Sequence, residues 1–312
     1  MTAAAAADAS RLTWGLVFAA LGSIAFSGKA IIVKLAYRYD VDAVTLIMYR
    51  MLFALPLFAA LAWWASRGKP PLARRDWLIV FGLGVTGYYL ASFLDFLGLQ
   101  YISASLERLI LYLNPTLVLL IGVIAFGRRV TGRQLGAMAV SYAGILLVFG
   151  HELRLEGTDV PLGAALVFGS AVSYAIYLAY SGQVVSRLGA LRLTGLATTV
   201  ACLLCIAQFF VLRPVSAMAV APEVLWLSVL NATLCTFAPV IMVMLAIERI
   251  GSTLTAQTGM IGPLSTIAMG VLILGEPFSA WLVAGTALVL VGVWLLARSP
   301  SPPARPMPAA AD

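Results

Sequence analysis

LERLILYLNPTLVLLIGVIAFG (Leu106–Gly127) has a second copy in the same chain, LTAQTGMIGPLSTIAMGVLILG (Leu254–Gly275), and the register between the two decides the fold. An ungapped shift of 148 residues brings Pro115 onto Pro263, Gly122 and Val123 onto Gly270 and Val271, and Gly127 onto Gly275. The same shift holds outside this window: Ile102 meets Ile250, Gly144 meets Gly292, Gly15 meets Gly163 and Phe26 meets Tyr174. The chain reads as two copies of one unit.

Composition says where that unit lives. Hydrophobic residues make up 62% of the chain and charged residues 11%, against about 45–50% and 25% in a soluble domain. Apolar runs of about twenty residues recur, each long enough to cross a hydrocarbon core of roughly 30 Å at about 1.5 Å per residue. Ten spans are expected, at 14–36, 43–64, 77–99, 103–126, 132–149, 161–181, 191–211, 223–247, 253–274 and 279–297. Five spans per copy is an odd number, so the copies enter the membrane from opposite sides as an inverted repeat. The expected organisation is a tail at 1–13, a first repeat at 14–150, a second at 160–297 and a disordered tail at 298–312. The alanine-rich start carries Asp8 and no basic region before its apolar run, so it does not read as a cleavable leader.

Basic residues set the orientation. Arg67, Lys69, Arg74, Arg75, Arg128, Arg129, Arg133, Arg187, Arg192 and Arg249 fall in one set of connections, with the tail residues Arg11, Arg298 and Arg305 on the same side. The other set has only Arg38, Arg154 and Arg213, among Asp40, Asp42, Glu152, Glu156 and Asp159. The expected fold is thus an all-α membrane protein of ten transmembrane helices in two inverted repeats, both termini cytoplasmic. This asymmetry also accounts for the net charge of +7, so the basic balance gives no reason to invoke nucleic acid.

AIERIGSTLTAQTGMIGPLSTIAMGVLILGEPFSAWLVAGTALVLVGV (246–293) resembles the EamA-like half of the drug/metabolite transporter superfamily, and LERLILYLNPTLVLLIGVIAFGRRVTGRQLGAMAVSYAGILLV (106–148) resembles the equivalent first-half stretch. The resemblance implies a ten-span carrier that exports a small metabolite from the cell, through the inner membrane if the cell is bacterial. It implies no single cargo, because members similar in sequence carry amino acids, sugars, nucleotide derivatives and drugs. The family's Gly-Glu after the fourth span stands at Gly275-Glu276 but reads Gly127-Arg128 in the first half. Inversion puts the Gly275-Glu276 connection on the outside and the Gly127-Arg128 connection in the cytoplasm, where positive charge is favoured. Glu276 is therefore expected to be a helix-boundary residue rather than part of the site.

Charges inside spans are more informative, since each costs about 2.5–3.5 kcal/mol at the bilayer centre unless it faces a partner or water. They are Lys29, Lys34, Arg50, Asp95, Glu107 and Arg108, all in the first half. Counted from the outer helix ends, Lys29 and Arg50 lie about 12 Å deep and Asp95, Glu107 and Arg108 about 6–9 Å, in one layer. Adjacent residues on a helix point about 100° apart, so Glu107 and Arg108 need partners on other spans. The expected pairs are Asp95 with Arg108, and Glu107 with Arg50 or Lys29. The positive charge left over would attract the anionic end of a substrate, and a carboxylate would accept a coupling proton. An ion-pair network that only fixes helix packing is the competing reading. Lys34, nearest the interface, is expected to snorkel.

The 148-residue shift carries these charges onto Tyr177, Thr198, Val243, Thr255 and Ala256. The second half offers Asn231, Thr236, Thr255 and Gln257, which with Tyr88, Tyr112 and Tyr174 are expected to line a cavity or to bond neighbouring helices. Pro115 and Pro263 interrupt their spans near the middle and release the carbonyls of Leu111 and Gly259. Repeat-paired broken helices place a substrate cavity at Tyr112, Asn114 and Pro115, facing Gly259 and Pro263, with Pro115 and Pro263 as the hinges. The candidate substrate-binding residues are Lys29, Arg50, Asp95, Glu107, Arg108, Tyr112, Asn114, Tyr174 and Gln257.

Other classes lack parts. The one histidine, His151, falls in an expected external loop and no HExxH occurs, so neither catalysis nor a metal or other cofactor is expected. Cys202, Cys205 and Cys235 lie inside spans and read as small packing residues. No filter motif marks a channel. Import of a metabolite or nucleotide-type solute, and a scaffold or sensor role without transport, stay open at this level, as does the oligomeric state.

Overall fold

A computed structural model describes the backbone at 3–127, 130–156, 159–259 and 261–298, and the side chains there except at 3–11, 154–156, 248, 251–253 and 256–257. Arg128, Arg129 and the tail 299–312 lie outside the described residues, as do the side chains of Arg11, Arg154, Glu156, Ala256 and Gln257.

Thirteen α-helices follow in order among the described residues: α1 (Ala3–Tyr37), α2 (Ala43–Ser66), α3 (Arg74–Gly84), α4 (Ala91–Gly98), α5 (Ala104–Leu111), α6 (Asn114–Phe126), α7 (Gly132–Glu156), α8 (Val160–Leu188), α9 (Ala190–Leu212), α10 (Pro222–Ala232), α11 (Ala238–Gly259), α12 (Ile261–Met269) and α13 (Ala280–Arg298). Several are segments of one longer helix. A π turn at Val85–Leu90 joins α3 to α4, and another at Thr233–Phe237 joins α10 to α11. Among the described residues, nine helices are long and apolar enough to cross a membrane, and Ile261–Leu274 is a shorter apolar helix. α1 begins well before the expected boundary at 14, because Ala3–Ala7 is a run of the strongest helix former.

The repeats interlock rather than stand side by side. α1 packs along α11, and its counterpart α8 packs along α4. Ile250 meets Gly15 just as Ile102 meets Gly163, the same contact under the 148-residue shift. α2 packs on its own counterpart α9, and α7 on its counterpart α13. There the glycines let two backbones touch: a Cβ on Gly144 would stand 2.6 Å from the Gly285 carbonyl, and one on Gly292 would stand 2.7 Å from that of Ala137. The shift carries Gly144 to Gly292 and Ala137 to Gly285, so the two contacts are related by a pseudo-two-fold axis.

The connection expected between 247 and 253 is helical. α1 works as a ruler beside it: Gly28 faces Cys235, Gly22 faces Met242 and Gly15 faces Arg249. Further on, Ser23 bonds Gly259 and Ser27 bonds Gly262, so the chain has turned back between Ile250 and Gly259. The reversal is a helical corner, not an open loop.

A cavity of about 760 Å³ opens at one end of the bundle, among Lys34, Arg38, Asp42, Gln100, Ser103 and Glu276. Asp42 caps α2, accepting from the Val44 and Thr45 amides, and pairs with Arg213 at 3.1 Å. Burial pushes the Asp42 carboxyl up, but the Thr45 donors and the Arg213 guanidinium outweigh it and hold it below the usual carboxylate range. The opposite end is tied by Arg187 to Asp76 at 2.5 Å and by Arg192 to Ser66 and the Pro70 carbonyl.

Candidate functional site

The site starts from the way α5 is held. Ser103 caps it by accepting from the Leu106 amide at 3.0 Å, and the Ser103 hydroxyl in turn donates to Glu152 of α7. Glu276, from the connection after α12, accepts from the Ala104 amide at 2.7 Å, the Ser105 amide at 3.2 Å and the Ser105 hydroxyl at 2.6 Å. A carboxylate at a helix N-terminus meets free amides and the positive end of the helix dipole. Left-handed Gly275 (φ 75°) makes the turn that points Glu276 there, and Gly270 leaves room, since a Cβ on it would sit 2.6 Å from Glu276 Oε2. The boundary role expected of Glu276 agrees with this geometry, with one addition: the helix it caps belongs to the other repeat.

Pinned in this way, α5 aims Glu107 into the bundle. Lys29 Nζ lies 2.5 Å from Asp95 Oδ2 and 3.0 Å from Glu107 Oε1. All three side chains are buried, Glu107 completely. One ammonium faces two carboxylates. Glu107 Oε1 is at ion-pair distance but out of hydrogen-bond alignment, and Asp95 Oδ1 and Glu107 Oε2 have no hydrogen-bond partner.

The expected pairing is corrected here. Asp95 takes Lys29, not Arg108, whereas Glu107 takes Lys29, one of the two partners expected for it. Arg108 turns to the other side of α5, donating to Thr266 Oγ1 at 2.9 Å and the Phe26 carbonyl at 3.2 Å. Arg50 donates to Thr236 Oγ1 from Nε at 3.2 Å and Nη2 at 3.1 Å, and to Ser92 from Nη1 at 3.4 Å, over the face of Phe96. Lys34, expected to snorkel, reaches the carbonyls of Leu99 and Ile102 at the C-terminal end of α4 and lines the cavity.

The proline breaks behave as polar joints. The Gly259 carbonyl, four residues before Pro263, accepts from Ser23 at 2.7 Å and from Tyr112 at 3.0 Å. Tyr112 itself stands where α5 gives way to α6, just before Pro115. Asn114 Oδ1 is buried without a hydrogen-bond partner. Tyr174 belongs to a different group: it stacks on Tyr177, which meets Tyr88 edge-on with the hydroxyls 3.3 Å apart. Thus Lys29, Asp95 and Glu107 are brought together, Arg50, Arg108 and Tyr112 are held by neutral partners, and Tyr174 is packed in an aromatic cluster. Ser23, Ser27, Ser92, Glu152 and Thr266 were not expected. Only Ser23 and Ser27 left a signal, being four residues apart on one face of α1.

Two interlocked repeats of apolar helices around a buried charged cluster define a multi-pass membrane protein. The EamA-like transporter family matches residues 13–150 and again 161–298. The chain belongs to that family. It is 30% identical over 275 residues to Uncharacterized transporter YcbK of Bacillus subtilis (strain 168), covering 84% of this chain and 86% of that protein. An uncharacterized transporter of Archaeoglobus fulgidus is 22% identical over 88% of this chain and 94% of its own length. One solved crystal structure is similar in fold with a TM-score of 0.59 at 17% identity, over 92% of this chain and 96% of that one. Membership of a transporter family agrees with the absence of an expected catalytic constellation in the sequence.

Proposed function

We propose that this transporter is a secondary carrier that exports a small polar metabolite, of the amino-acid type, by alternating access, with a proton as coupling ion. The observation that carries the reading is the Lys29–Asp95–Glu107 cluster, buried among apolar helices where unpaired charge is expensive. Two carboxylates on one ammonium offer a place for a proton or a cargo ammonium, and Arg50 and Arg108 offer positive charge to an anionic group. Lys29, Arg50, Asp95, Glu107, Arg108, Tyr112 and Asn114 form the proposed binding region, with Pro115 and Pro263 as hinges. From the second repeat, Tyr174, packed in the aromatic cluster, and Gln257, whose side chain lies outside the described residues, are the remaining candidates.

Ten crossings with both termini in the cytoplasm fit the corner after Ile250, which makes Ile261–Leu274 the outer part of a ninth crossing. In this orientation the cavity at Glu276 faces outside, and the Arg187–Asp76 tie closes the cytoplasmic end. An opening at one end and polar ties at the other is what one state of an alternating-access cycle requires.

The test is a comparison of extracellular metabolites, by mass spectrometry, from cells expressing the intact protein, Glu107→Gln at matched membrane level, or neither. A compound class that accumulates outside only with the intact protein is the expected result. Identical profiles in all three would overturn export and send the question to uptake by reconstituted protein.

A further inference from the structure

Taking the chain as a transporter, we propose that Arg50 is the docking group for a single carboxylate on the cargo, with the Thr236 hydroxyl occupying that carboxylate's position in this structure. Three cations and two anions make up the buried layer, so Lys29, Arg50 and Arg108 exceed Asp95 and Glu107 by one positive charge. A bound monoanion brings the local sum to zero, and a zwitterion, whose ammonium enters the same layer, leaves it unchanged. A cationic cargo would double the imbalance in a region of low dielectric.

The partners decide which cation is available. Lys29 already faces both carboxylates. Arg108 is shared between a hydroxyl and a backbone carbonyl, and the carbonyl of Phe26 is fixed in α1. Arg50, 5% exposed, has hydroxyls alone as hydrogen-bond acceptors among the described residues. Its Nε and Nη2, the edge of the guanidinium that takes a carboxylate with one oxygen per nitrogen, both converge on Thr236 Oγ1, at 3.2 and 3.1 Å. Charge-assisted bonds run at about 2.7–2.9 Å, so one neutral oxygen underuses a fork built for two charged ones.

The surroundings fit a group that comes and goes. Thr236 lies in the π turn Thr233–Phe237 and donates its proton to the Asn231 carbonyl at 2.8 Å. Rotation about one side-chain bond withdraws its hydroxyl from Arg50 without moving the backbone. Asn231 Oδ1, on a side chain 1% exposed, has no hydrogen-bond partner, and neither has Asp95 Oδ1. Both are acceptors suited to a donor carried beside the cargo's carboxylate. π turns inside α-helices frequently mark functional positions.

The test uses purified full-length protein and its thermal unfolding, followed by tryptophan fluorescence, with glycine, L-leucine and pyruvate, their carboxamides, and tetraphenylphosphonium as probes. A carboxylate probe is expected to raise the midpoint while its amide does not. Arg50→Gln should weaken that probe roughly 10- to 100-fold, and Thr236→Val, which keeps the shape but removes the competing hydroxyl, should tighten it. Equal carboxylate affinity in wild type, Arg50→Gln and Thr236→Val overturns the docking role and leaves Arg50 a packing residue. Flux of the same probes into proteoliposomes separates the two levels. Transport of the cation or the amides without any effect of a carboxylate overturns the docking role and keeps the carrier; neither flux nor stabilisation by any probe overturns both.

Discussion

Lys29 holds two carboxylates at once, and its removal should show how tightly the layer is balanced. Lys29→Met would leave Asp95 and Glu107 buried, close together and without their cation. Breaking a buried pair from one side costs about 3–5 kcal/mol, so the thermal midpoint in detergent should fall steeply. Adding Asp95→Asn should recover part of the loss, because the neutral amide removes one of the stranded charges. A midpoint unchanged by Lys29→Met would mean that the cluster is solvated and not a buried ion pair. The members of this layer were legible in the sequence, since depth follows from counting residues along each span. Their pairing was not, because it depends on the rotation of each helix about its axis. Asp95 and Arg108 suit each other in depth and charge, yet Arg108 bonds Thr266 of α12 and the Phe26 carbonyl of α1, while Asp95 takes Lys29.

Glu276 shows the same division for an element. Gly275-Glu276 reads as a helix boundary, and so it is. That its carboxylate caps α5 of the other repeat, while its backbone amide bonds the Gly270 carbonyl, required the fold. Loss of a helix cap costs about 0.5–2 kcal/mol, so Glu276→Ala should lower stability by that order. Hydrogen exchange gives the sharper check: the Ala104 and Ser105 amides should exchange faster in the variant, while α2 and α9 stay protected. Uniform acceleration throughout the bundle would instead indicate global loosening. The proline breaks were legible from the repeat register. The π turns at Val85–Leu90 and Thr233–Phe237 were not, although the shift superposes their starts, because no residue type obliges a helix to widen. The helical corner after Ile250 escaped for a related reason: Gly251 and Ser252 read as a loop, and the close packing of α1 beside them is invisible in sequence.

At the scale of the molecule, the expected two-copy organisation agrees with the family match over both halves. What composition could not reveal is that the two copies exchange their first helices. α1 packs along α11 and α8 along α4, so each half lends its first helix to the other. Residues 1–157 and 158–312 expressed alone should each be degraded or aggregate, whereas co-expression should yield a complex that purifies together. A first half that is monomeric and stable by itself would show that the exchanged helices contribute little.

The charged layer has a further consequence when set against the two-fold relation of the repeats. If both copies were identical, the inward- and outward-facing forms would be the same molecule turned over, and they would be equally populated at rest. Every charged group of the layer is in one copy, so that degeneracy is lifted. A difference of about 1.4 kcal/mol between the forms already means ten molecules facing one way for each facing the other. In the proposed alternating-access cycle the resting direction would therefore follow from this asymmetry, which includes the five positions where Lys, Arg, Asp, Glu and Arg stand opposite Tyr, Thr, Val, Thr and Ala.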